Sequence, residues 1–192
     1  MYLLRGIPRT DPKQVSRSFA PTATHPDFFT ELRLSHFSVQ DYLTSTQIGS
    51  GSSASFKLEK RLADNFIANT CLIYLSQFDK EECLTKSTFG LFPLTLYAAQ
   101  YWVYHACSSG KDIPTSLQEP VLQFFQSDNV FYNWVRIFDI DRWNHLQPRV
   151  ETNLDRSLSS IAPALYYAAA SGMTTICQRL LESGVNVNER GG

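Results

Sequence analysis

From Ser87 to Gly110 the chain carries no charged side chain. An uncharged apolar stretch of this length has two destinations, a lipid bilayer or the inside of a folded core. The residue types favour the core. Pro93, Gln100 and His105 are costly in hydrocarbon, and Tyr97, Tyr101 and Tyr104 spread through the middle of the stretch instead of marking two interfaces. The expectation is a soluble helix opened by Pro93, running to about Cys107 and buried on nearly every side. Such a helix needs apolar neighbours. With 192 residues, 43% of them hydrophobic and 13% aromatic, a chain of this size buries roughly 70% of its unfolded surface and needs no covalent staples.

Charge and cysteine usage exclude several function classes. Lys plus Arg number 17 and Asp plus Glu 18, a formal net charge of −1. No field of one sign exists to draw in nucleic acid or an anionic membrane, so neither is expected as a partner. Cys71, Cys83, Cys107 and Cys177 form no Cys-x-x-Cys pair and no disulfide spacing. Reduced, mostly buried thiols and a cytoplasmic location are expected. The N-terminal apolar run, Tyr2 to Leu4, ends at Arg5 and is too short for the core of a signal peptide.

Punctuation divides the chain. Pro8, Pro12, Pro21 and Pro26 break any periodicity over residues 1–30, which read as an irregular lead-in. Leu32 and Leu34 alternate with Arg33 and Ser35, the pattern of a half-buried strand, and Ser38 with Asp41 forms a variant capping box for a short helix over 39–45. The Gly- and Ser-rich run 49–55 reads as a flexible loop. A helical segment over 56–147 follows. Its first helix places Leu62, Phe66, Ile67, Thr70, Cys71, Tyr74, Leu75 and Phe78 at three- and four-residue steps. After the uncharged helix, Ser116 and Glu119 make a second capping box for a helix carrying Leu117, Val121, Phe124 and Phe125. Phe131, Trp134, Val135 and Phe138 define one more helix. The polar run 148–160 reads as a linker. The fold class expected is mainly all-α, with a short strand–helix unit near residue 35.

Beyond the linker the residues follow a recognisable order. Leu165, Ala168, Ala169, Gly172, Ile176, Leu180, Leu181, Gly184, Val187 and Asn188 fall without a gap where an ankyrin repeat has its signature positions, so the segment 161–192 resembles one such repeat. Small Ala168 and Ala169 let two antiparallel helices approach. Gly172 suits the turn between them, and Gly184 suits a left-handed residue after the second. The usual Thr-Pro-Leu-His block is Pro163, Ala164, Leu165, Tyr166 here, a departure common at the first repeat of an array. Stacked repeats need about three units for stability. A lone repeat must therefore pack on the helices before it, and the chain reads as cut from a longer array.

The blocks LRLSHFSVQDYLTS, LADNFIANTCLIYL and FPLTLYAAQYWVYHA, followed by a tryptophan-bearing helix and the ankyrin start, resemble the central region of fungal NACHT-ankyrin proteins. These are signal-transduction ATPases of the NOD-like receptor type. The resemblance implies that residues 31–48 are a winged-helix remnant and that 56–147 lead into the repeats. The family often has Ala-His where this chain has Ala63-Asp64. No G-x-x-x-x-G-K-[ST] occurs, so the family's nucleotide-binding module and its ATPase activity do not carry over.

Other constellations read as structural. Gly49-Ser50-Gly51 lacks the third glycine and the lysine of a phosphate loop. His36, Ser38 and Asp41 contain the residue types of a hydrolase triad but crowd into six positions. His105 and Cys107, joined by Cys71 or Cys83, fall short of paired zinc-ligand spacing. Asp139 and Asp141 could serve acid–base work, and a salt bridge to Arg136 or Arg142 is the plainer reading. The aromatic series Tyr97, Tyr101, Trp102, Phe124, Phe125, Phe131 and Trp134 could line a ligand cavity, and at helical spacing it reads as core. No catalytic, cofactor or metal residue is assigned. The functional expectation is a non-catalytic interaction or scaffold module that presents the repeat's surface to a protein partner. The alternative is a small hydrolase using His36 or Asp139 and Asp141.

Overall fold

A computed structural model of the chain describes residues 37–50, 52–80, 83–108, 110, 112–141 and 152–189. Within them the protein is mainly helical and contains seven α-helices and no strand. The strand expected over 32–36, and His36 with it, lie outside the described residues. Helix α1 (Phe37–Thr44) starts one residue before Ser38, which sits in its first turn and does not precede it. Two 3-10 turns follow, Gln47–Ser50 and Ala54–Phe56, in the stretch expected as a loop. Leu58 N–H donates to Leu43 C=O at 2.8 Å and fastens α1 to the entry of the next helix.

Helix α2 (Lys60–Ser76) packs antiparallel along α3 (Thr95–Cys107), the uncharged helix, in the most extensive helix contact among the described residues. Ala98, Ala99, Trp102 and Ala106 are buried on one side of α3. Its other side carries Tyr97, Tyr101 and Tyr104, all exposed, so the helix is buried on one face and not all round. Tyrosine tolerates this position because its phenol reaches water while the ring covers apolar surface. Helix α2 buries Asp64, Ala68, Cys71, Leu72 and Leu75. Leu62, Phe66 and Ile73 lie on the opposite face and are exposed.

Helices α4 (Thr115–Gln126) and α5 (Asp128–Ile137) meet at Ser127, whose extended backbone ends one helix and starts the other. The capping box expected at Ser116 is not used. The helix begins at Thr115 behind Pro114, and Glu119 instead holds Arg179 at 2.7 Å and Gln123 at 3.2 Å. Trp134 stands at the centre of the core. Its ring lies 5.4 Å from Trp102, 5.6 Å from Phe124, 6.1 Å from Phe125, 6.2 Å from Phe131 and 5.7 Å from Tyr167. Its Nε1–H donates to Ala99 C=O at 2.8 Å, which ties α5 to α3. Each edge-to-face pair adds about 0.5–1.5 kcal/mol beyond the area it buries.

Tyr167 brings the C-terminal helix pair into this same core. Helix α6 (Ala164–Ala170) and helix α7 (Thr174–Glu182) fold against each other around Gly172, which has φ +73°. Gly184, at φ +89°, ends α7, and Gly184 N–H donates to Leu181 C=O at 3.0 Å. Both angles suit glycine because a Cβ would crowd the carbonyl. The pair packs on α4, and Met173, Ile176 and Leu180 join the buried residues of the preceding helices. The described part of the polar run, from residue 152, is anchored too: Leu154 and Ile161 are buried, and Asn153 N–H donates to Arg136 C=O at 2.9 Å.

Candidate functional site

A cleft among the described residues forms where the return from the polar run meets α6. Pro163 occupies the N-cap position with φ −60° and ψ 156°, an angle pair its ring favours, and delivers the chain into the helix. Arg156 organises the approach. Its guanidinium donates to Ser160 Oγ at 3.3 Å and Ser160 C=O at 2.8 Å, and it pairs with Asp139 from the end of α5. The two charged side chains are 11% and 7% exposed, so water screens this pair little. Asp139 also accepts the Tyr167 hydroxyl at 3.1 Å and Asp141 N–H at 3.0 Å. Burial, then the Asp139 charge, push the Tyr167 phenol well above its ordinary pKa.

The resulting cleft measures about 510 Å³, within the range of volumes seen for small-ligand sites. Asp141 and Tyr166 stand on one side, joined by a 3.0 Å bond from the Tyr166 hydroxyl to Asp141 Oδ1. That bond, with the carboxylate's charge, raises the Tyr166 pKa. Ala162, Pro163, Leu165 and Ala169 line the cleft with apolar surface. Asn186, Val187 and Glu189 line it from the loop after α7. That loop is turned by Glu189 N–H to Asn186 C=O at 3.2 Å and Asn188 N–H to Asn186 Oδ1 at 3.0 Å, which leaves Val187 69% exposed.

The residues singled out in the sequence divide accordingly. Leu165 and Ala169 line the cleft, as does Asp141. Asp139 lies behind it, held by Arg156 and Tyr167, and a carboxylate so engaged is poorly placed to take a substrate proton. Ala168 and Leu180 are core, Leu181 and Asn188 are exposed, and Gly172 and Gly184 shape the turns. Tyr166 was noted only as a departure from the ankyrin block, and Arg156 and Glu189 were not singled out. The signal for Arg156 was faint, a lone arginine in a Ser-rich run. Asp139 forms a salt bridge with Arg156, and Arg142, one of the two partners expected for it, lies outside the described residues.

His105 and Cys107 do not converge. His105 Nδ1 lies 2.8 Å from Asp64 Oδ1 on α2, and its Nε2 lies 3.2 Å from the Tyr97 hydroxyl. Asp64 is buried because it has this partner. Cys107 Sγ faces Ser171 C=O at 3.9 Å. Among the described residues no group of three or more His, Cys, Asp or Glu side chains is arranged to hold a metal ion, and no helix is long and apolar enough to cross a membrane.

No family model matches the chain, and no solved structure matches it. Among curated proteins it is similar to the azaphilone pigments biosynthesis cluster protein L of Monascus ruber, 30% identical over 154 residues. The match covers 79% of this chain and 32% of the relative, so the chain spans about a third of that protein's length.

Proposed function

We propose that the chain is a non-catalytic protein-interaction module, an ankyrin-type helix pair capped by a helical block, whose cleft receives a protein partner. The observation that carries this reading is the makeup of the cleft. Its lining comes from α6, from the loop after α7, from Arg156, Ser160, Ala162 and Pro163 ahead of α6, and from Asp141 at the end of the helical block, so residues outside the helix pair help to pre-form the surface. Preorganisation of this kind lowers the cost of binding. The resemblance to NACHT-ankyrin proteins supports the same reading, with the block relaying between a signalling unit and the repeats in the cytoplasm.

The hydrolase alternative rests on Asp141, which opens on the cleft, while Asp139 is spent on Arg156. A photo-crosslinking residue placed at Ala169 tests the main reading in native extract. A discrete protein adduct, lost when Val187 is changed to Asp, is expected. Absence of any adduct, or one indifferent to Val187→Asp, overturns the reading. Ester hydrolysis by the purified chain that falls with Asp141→Asn would favour the alternative.

A further inference from the structure

We infer that the outer face of α2 is a self-association surface, on which α2 of a second copy of this chain lies parallel and in register. No residue of α2 lines the cleft, so the inference stands apart from the reading of that site.

Helix α2 has two packing faces. Ala68, Cys71, Leu72 and Leu75 turn into the core. On the other side Leu62, Phe66, Asn69 and Ile73 follow one another at steps of four, three and four residues. That average of 3.5 is the period at which one helix lies along another, and the row runs for about 16 Å. Leu62, Phe66 and Ile73 are 64%, 73% and 66% exposed. Phe56 and Leu58, just before the helix, are exposed as well. Small Ala63 and Thr70 flank the row, and the Thr70 hydroxyl is already bonded to Phe66 C=O at 2.8 Å.

Three features point to a second copy as the occupant. The first is charge. Between Arg61 and Asp79 Asp64 is the one charged residue, and it is buried against His105. An identical helix therefore brings no like charge to the seam. The second is Asn69. An amide closed into an apolar seam needs a polar partner. A parallel two-fold pair sets each residue against itself, so Asn69 meets Asn69, the device that fixes register in paired helices. An antiparallel pair would set Asn69 against Phe66 and leave the amide unpaired. The third is area. The exposed row with Phe56 and Leu58 offers on the order of 500–700 Å² per copy. Stable interfaces begin at about 600 Å² per partner, so a dimer in the micromolar range is expected.

Analytical ultracentrifugation of the full chain is expected to show a monomer–dimer equilibrium in the micromolar range. Phe66→Asp and, separately, Ile73→Asp should each weaken it by about tenfold or more. Both side chains are mostly exposed, so far-UV circular dichroism should stay unchanged. Leu91→Asp, at an equally exposed apolar residue outside α2, should leave the equilibrium intact. Mild oxidation of Asn69→Cys should give a covalent dimer in which peptide mapping joins position 69 to position 69, distinct from any link through the native cysteines. A monomer throughout the micromolar range overturns the inference, whether residues 1–36 or another protein covers the row. A dimer indifferent to both α2 variants, or weakened as much by Leu91→Asp, overturns it too. A dimer that forms no link at position 69 overturns the parallel register.

Discussion

The Asp112 carboxylate accepts Thr175 N–H at 2.9 Å and the Thr175 hydroxyl as well, so the loop after α3 caps the N-terminus of α7 from 63 positions away in sequence. The residue at the N-cap position of α7 is Met173, which has no side-chain acceptor. The helical block therefore supplies a cap that the helix pair cannot make for itself. A borrowed cap couples the two parts energetically as well as spatially. Asp112→Ala is expected to cost about 1–2 kcal/mol, read as a shift of the urea midpoint. Asp112→Asn, which retains an acceptor, should cost less.

The same carboxylate sets an acid limit. Burial alone would raise the Asp112 pKa. The bonds from the Thr175 hydroxyl, Ile113 N–H and Thr175 N–H outweigh it and hold the group below the ordinary carboxylate range. A depressed folded pKa contributes stability that is present above the unfolded value of 3.8 and lost as pH falls through the folded value. Wild type should lose stability more steeply than Asp112→Asn below about pH 4. Urea titrations across that window check the sign: equal slopes for the two proteins would remove Asp112 from the acid response.

Helical architecture was legible in the sequence because each element carried a strong local signal, and α3 shows both the reach and the limit of that signal. Its extent, Thr95–Cys107, followed from Pro93 and the uncharged run. Its burial did not, since tyrosine is apolar by ring and polar by hydroxyl, and periodicity alone does not say which end wins. Helix α2 was legible as a helix, Lys60–Ser76, but its faces were not. Leu62, Phe66 and Ile73 form an apolar row opposite the core, so the spacing mixed two faces of one helix. Asp64 sits in the buried face only because His105, 41 residues away, is there to meet it. The cleft was partly legible. Leu165, Ala169 and Asp141 stood out in the sequence, whereas Arg156 and Tyr166 act through tertiary pairing, with Asp139 and Asp141, that no local pattern encodes.

The Asp139–Arg156 pair predicts an asymmetric double-mutant cycle. Removing either partner takes the ion pair away from a nearly buried charge, a loss of up to about 3–5 kcal/mol for a pair broken from one side. Arg156→Met and Asp139→Asn should each destabilise strongly, and the double variant should recover part of the loss. Arg156 also holds Ser160, so recovery will be incomplete. Calorimetric melting of all four proteins measures the coupling, and additive losses would show that the pair does not act as a unit.

Thiol chemistry offers a readout of the core that needs no mutation. Burial pushes the Cys71 thiol up to about 11, and burial together with the Asp112 charge does the same for Cys107. The thiolate is the species that reacts with an alkylating reagent. At pH 8 both residues should therefore alkylate far more slowly in the folded protein than in urea, by a factor on the order of 100 or more from the thiolate fraction alone. Cys107 also lies against Ser171 C=O at 3.9 Å, where α3 meets the helix pair. If Asp112→Ala loosens that junction, Cys107 should gain reactivity while Cys71, held between α2 and α3, stays protected. Peptide-resolved mass spectrometry after timed iodoacetamide exposure separates the two. Equal gains at Cys71 and Cys107 would mean that the variant unfolds as a whole and that the Asp112 cap has no local effect.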